Sequence, residues 1–160
     1  MPRYALFALL ILAPFARAEV FAGGQIQEIY RVRLDRGELL LESVLDAIQK
    51  YNIQDGAVLT AAGTLQECTF HAVKSIAAKA EEQFITKKGP IEILSLNGII
   101  AAGEPHLHMT LGSPSGSTFG GHIEKGCKVL CRAELTIAKF SGTALARKPN
   151  AEGIPMMQKK

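Results

Sequence analysis

The chain has 160 residues, with 18 Lys+Arg against 15 Asp+Glu for a net charge of +3, and 48% of its residues are apolar. That length suits one domain with a real hydrophobic core and no internal repeat. The mild charge argues against the concentrated basic surface with which proteins grip nucleic acid, because the nearest candidates, Lys87-Lys88 and Lys159-Lys160, are short doublets and weak evidence for a polyanion partner.

The first residues read as a cleavable signal peptide. Arg3 supplies a positive start, residues 5–15 (ALFALLILAPF) are apolar, and Ala16-Arg17-Ala18 is a small-x-small cleavage site before Glu19. The apolar run is well short of the about 20 residues that a spanning helix needs. The expected product is a periplasmic or extracellular chain of residues 19–160 with no membrane span. Removing Arg3 and Arg17 would leave it 16 Lys+Arg against 15 Asp+Glu, a net charge of +1.

Residues 30–34 alternate and predict a strand. Asp35 with Glu38 three positions on has the form of a capping box. Leu41, Val44, Leu45, Ile48 and Tyr51 then recur at helical spacing, ended by Asn52 and the Asp55-Gly56 turn. Residues 57–62 predict a buried strand, with Gly63 as a bend before a second extended stretch over 65–73. Residues 74–81 fit either a loop or one or two helical turns. Extended structure follows at 83–86, punctuated by Lys88-Gly89-Pro90 and resuming over 91–100 with an interruption at Asn97-Gly98. Residues 106–111, 118–123 and 128–140 complete the strands, and the polar tail from Ala146 predicts an irregular arm. Many strands around one long helix imply an α+β fold with a largely antiparallel sheet.

Cys68, Cys127 and Cys131 leave at least one thiol unpaired within the chain. Cys127 and Cys131 fall in one predicted strand, where four residues span about 13 Å against a bridging limit of about 7 Å, so they should not pair with each other. A bridge from Cys68 to either one is open, but packing of all three as small buried hydrophobes is the reading preferred.

His106-x-His108 is the most informative local pattern. Two residues apart on a strand, both imidazoles project from one face while Leu107, Met109 and Leu111 face the core. His122 follows the turn-rich segment Gly112-Ser113-Pro114-Ser115-Gly116. Pairing it with position 106 or 108 in a hairpin puts three rings on one side, whereas a slip of one residue sends it to the other. Three imidazoles make a natural Zn²⁺ set with a fourth position open, and the same donors suit copper, nickel or iron. Glu104 and Glu124 are candidate acceptors to orient these imidazoles. His71 reads as structural. No Walker A, G-x-S-x-G, H-E-x-x-H or C-x-x-C motif occurs. The catalytic residues of any enzyme reading are therefore unnamed.

Three blocks, GPIEILSLNGII (residues 89–100), GEPHLHMTLG (103–112) and FGGHIEKGCKV (119–129), preceded by AVLTAAGTLQECTFHAV (57–73), resemble the signature of the PPC (plant and prokaryote conserved) domain. The resemblance covers residues 26–140. It implies an antiparallel sheet with a packed helix, assembled as a homotrimer. In plants the domain follows AT-hooks that bind AT-rich DNA, while the domain itself mediates assembly. This chain has no Arg-Gly-Arg-Pro hook, so DNA binding would rest on family analogy alone. The H-x-H…G-G-H pattern is similar to the prokaryotic branch, which implies that His106, His108 and His122 bind a metal. The expected function is thus a trimeric zinc- or small-ligand-binding module, with a metal-dependent enzyme as the alternative.

Overall fold

Eight strands and one helix make up the computed structural model, which describes residues 18–142 and 144–160. The predicted signal peptide lies outside the described residues except for Ala18. Among the described residues, no helix is long and apolar enough to cross a membrane.

In chain order the elements are β1 (Ile26–Asp35), α1 (Leu40–Lys50), β2 (Asp55–Val73), β3 (Glu82–Ala101), β4 (Glu104–Gly112), β5 (Thr118–Ile123), β6 (Lys128–Phe140), β7 (Leu145–Pro149) and β8 (Pro155–Lys159). The first six strands form one antiparallel sheet in the order β1-β6-β2-β3-β4-β5. An additional pairing of β2 with β5, Phe70 opposite Ile123 and His71 opposite His122, joins β2, β3, β4 and β5 into a closed ring. Leu65, Leu96, Leu107, Leu111 and Ile123 are fully buried in the core, as period-2 alternation requires of strands with one face inward.

The two longest strands absorb the glycines that read as breaks. β2 runs through Gly63, where an added Cβ would lie 2.4 Å from the carbonyl oxygen of Arg132 on β6. The Lys88-Gly89-Pro90 punctuation becomes a bulge, with Leu65 opposite Ile91 and Glu67 opposite Lys88. At Asn97-Gly98 β3 also continues. Gly98 has φ 151°, and a Cβ there would sit 2.0 Å from the His106 carbonyl oxygen. Gly63 and Gly98 need glycine because another backbone passes too close for a side chain. Residues 74–81 form a loop, tied by Lys74 N–H to the Glu81 carbonyl at 2.9 Å.

The helix starts later than the capping-box pattern suggested. The Glu38 carboxylate does accept the Asp35 backbone N–H, but Asp35 ends β1 and the N-cap is Leu39, with no side-chain cap. The Leu40 N–H is satisfied instead by the Cys127 carbonyl at 2.8 Å, a tertiary contact that substitutes for a local cap. The buried stripe is Leu40, Val44, Ala47 and Ile48; Tyr51 lies at the C-cap, its ring 4.4 Å from Tyr30.

Two further expectations are corrected. The tail is a β7–β8 hairpin, its turn held by the Asn150 side chain, which accepts N–H groups from Glu152 at 3.1 Å and Ile154 at 2.9 Å. The cysteines are not three buried hydrophobes. Cys68 and Cys127 form a disulfide and Cys131 is exposed and free. Between Gly63–Ala133 and Leu65–Val129 the β2–β6 register slips, and the extra β6 residues swing Cys131 outward, where its N–H bonds Thr64 Oγ1 at 3.1 Å.

Candidate metal centre

β4 and β5 meet with His108 directly opposite His122, and β2 then brings His71 opposite His122 from the other side. Directly opposed residues share a sheet face, so His71, His122 and His108 form one row across three strands. His106 joins the same face from two residues along β4, while Leu107 and Met109 point into the core. Gly121, beside His122, has φ 157°, and a Cβ there would meet the His71 carbonyl oxygen at 2.3 Å. The close seating of β5 on β2 thus depends on that glycine.

His106 and His108 approach with their Nε2 atoms 3.3 Å apart. His106, His108 and His122 each offer a ring nitrogen, and these three atoms lie within 4.8 Å of one another. The His122 ring centroid is 5.1 Å from that of His106 and 5.3 Å from that of His108. Two ligands bound tetrahedrally at a Zn–N distance of about 2.05 Å stand about 3.3 Å apart, the separation of the two Nε2 atoms. The two Nε2 atoms thus stand at the spacing of two ligands on one divalent transition metal, with the third donor near enough to join them.

His71, which the sequence reads as structural, lines the cleft beside the three clustered imidazoles. Its ring stacks on His122 with centroids 4.6 Å apart, its Nδ1 lies 2.7 Å from Glu124 Oε1, and its Nε2 is 3.7 Å from Glu82 Oε1. The expected role of Glu124 shifts accordingly, since it orients His71 and not one of the three clustered imidazoles. Glu104 is exposed and lines the cleft. Nothing local marked His71, because its membership depends on the β2–β5 closure.

Burial and neighbouring positive charge disfavour the protonated forms of His106 and His122. His106 is lowered from 6.5 to about 4, first by burial, then by Arg147 and by the other three histidines. His122 is lowered as well, by burial and then by His71 and His108, with Glu124 opposing. Neutral imidazoles keep the lone pair that a metal requires. The rings open into a cleft of about 740 Å³ whose walls include Val73, Pro105, Ile154 and Pro155. Arg147, on β7, leans in from the hairpin, donating from Nη1 to His106 Nδ1 and from Nη2 to the Pro155 carbonyl at 3.0 Å.

A family model described as the Plants and Prokaryotes Conserved (PCC) domain matches residues 21–141. The bifunctional protein GlmU of Synechococcus sp. (strain JA-2-3B'a(2-13)) is 29% identical over 123 residues, covering 77% of this chain and 18% of that protein. The chain thus spans less than a fifth of the length of the curated relatives it matches. Among solved structures, a plant- and prokaryote-conserved (PPC) protein of Pyrococcus horikoshii aligns with a TM-score of 0.75 at 27% identity, covering 89% of this chain and 99% of that one. The metal-containing protein AF0104 of Archaeoglobus fulgidus aligns equally well, TM-score 0.75 at 22% identity, covering 89% and 100%. A candidate DNA-binding protein of Bacteroides thetaiotaomicron aligns at 0.74 and 18% identity, covering 86% and 96%.

Proposed function

We propose, the chain belonging to the Plants and Prokaryotes Conserved (PCC) domain family, that it is an exported binding module whose His106, His108 and His122 hold a divalent transition metal, with zinc the best fit to three imidazoles. The observation that carries this reading is the 3.3 Å approach of two ring nitrogens with a third donor within 4.8 Å on the same face. A structural neighbour called metal-containing supports it. Assembly as a homotrimer belongs to the same reading. Leu59, Leu94 and Phe84, between 48% and 61% exposed, are apolar strand residues that self-association would cover. Nucleic acid is a poor partner for an exported chain of net charge +1.

Elemental analysis of protein purified without chelator tests the metal. One equivalent of metal is expected in the wild type and none in the His106→Ala, His108→Ala double variant. Equal metal content in the two proteins, or none in the wild type, ends the reading.

An enzyme acting on a small substrate is a second reading, favoured by the His71–Glu124 pair at 2.7 Å beside the cluster. A carboxylate-held imidazole next to a metal can move a proton. Turnover lost in His71→Ala at unchanged metal content would establish it. An inert wild type across hydrolase substrates would reject it.

A further inference from the structure

Arg147 is the feature of the cleft that a simple imidazole–metal site leaves unexplained. A guanidinium only donates hydrogen bonds. Its contact with Nδ1 of His106 therefore makes Nδ1 the unprotonated nitrogen, so that neutral His106 carries its proton on Nε2.

Ligation of a metal by His106 is incompatible with that contact, whichever nitrogen is used. With Nε2 as ligand, the ring proton moves to Nδ1 and two donors face each other. With Nδ1 as ligand, the lone pair that Arg147 reaches is gone. His106 cannot serve both cations.

Released from His106, Arg147 keeps only the Pro155 carbonyl. It is half-buried, and no carboxylate among the described residues pairs with it. A guanidinium left short of acceptors beside a newly bound divalent charge is costly unless an anion joins it.

We propose, building on the metal reading, that the cleft takes a small anion whose carboxylate or phosphate group is shared between the metal and Arg147, the arginine turning from His106 to the ligand. The planar fork of the guanidinium matches both head groups. Glu82 and Glu104 also face the cleft, which disfavours an extended polyanion and favours a single head group. Val73, Pro105 and Ile154 supply apolar wall for a short hydrocarbon body, and about 740 Å³ is room for one.

The test titrates chelator-stripped chain with zinc by calorimetry, then titrates the loaded protein with propionate in one arm and methyl phosphate in the other. At least one of the two is expected to bind loaded protein and not stripped protein. Arg147→Met should weaken that binding about tenfold or more, through loss of a charge-assisted pair. The same variant should take up zinc more tightly than the wild type, because a competitor for His106 is gone. Arg147→Lys, retaining charge without the fork, should bind the anion with intermediate affinity. Failure of both anions to bind loaded wild type overturns the proposal, as does equal anion affinity in Arg147→Met or equal binding to stripped protein. In those outcomes zinc uptake stays intact, so the metal reading survives them. Absence of zinc uptake by the wild type removes both.

Discussion

His71 and His122 stand opposite each other across the pairing of β2 with β5, their rings stacked at 4.6 Å. That pairing spans only two residue pairs, yet it converts an open sheet edge into the wall of the candidate centre. The stack couples the Glu124-held ring to one of the three proposed ligands.

Glu124→Ala removes the acceptor at 2.7 Å from His71. The expected result is a loss of about 1 kcal/mol in denaturant-derived stability, since both side chains retain some solvent access. Zinc affinity should fall about tenfold, as for other residues that position ligands indirectly. Unchanged zinc affinity would show that the stack does not transmit orientation.

Added zinc should raise the thermal midpoint of the wild type and leave His108→Ala unmoved. At a free metal concentration one hundred times the dissociation constant, linkage gives about 2.7 kcal/mol of stabilisation. Differential scanning calorimetry with and without metal reads it directly. An equal shift in His108→Ala would place the binding elsewhere.

The pH dependence of the metal-free protein follows from His106. Its folded value of about 4 lies below the ordinary 6.5, so between these values the unfolded chain holds a proton that the folded one lacks. Its contribution is fully present above pH 6.5, declines as pH falls toward about 4, and declines no further below that. Histidine proton resonances should show one imidazole titrating near 4. Because the Arg147 guanidinium beside His106 disfavours its protonated form, Arg147→Ala should move that midpoint upward.

Cys68 and Cys127 are separated by 59 positions, and closing a loop of that length restricts the unfolded chain by about 4 kcal/mol on the chain-entropy estimate. The Cys68→Ala, Cys127→Ala double variant should lose about 2–4 kcal/mol. Thiol titration of denatured, unreduced wild type should find one thiol per chain, that of Cys131.

Gly121→Ala should be more damaging than its size suggests, costing about 2 kcal/mol or more, because its Cβ would be 2.3 Å from the His71 carbonyl oxygen. Circular dichroism with denaturant measures the loss. A neutral outcome would mean that β5 can stand off β2 without penalty.

The strands of the main sheet and the helix were legible because their signals are periodic and local. Leu107, Met109 and Leu111 alternate with His106 and His108, and alternation is all that facing requires. What could not be read locally was set by partners distant in the chain. The Leu40 N–H takes its acceptor from Cys127, and His71 enters the cluster only through β5. The β7–β8 hairpin was hidden by Pro149 and Pro155, which read as breakers, yet lie opposite each other at its turn end. Arg147 could not be placed at the cleft without that hairpin.

The bond between Cys68 and Cys127 lies two residues before Phe70 on β2 and four after Ile123 on β5, the pair that begins the ring's seam. It acts as a rivet beside a very short zip. In a reducing solution the rivet is lost, and the hold of β5 on β2 shrinks to the two-pair contact and the bonds of Glu124 to Thr69 and His71. Its free edge then becomes available to other chains, as unprotected strand edges do. Solubility, and not only thermal endurance, should accordingly depend on the oxidising power of the medium in which the protein is kept.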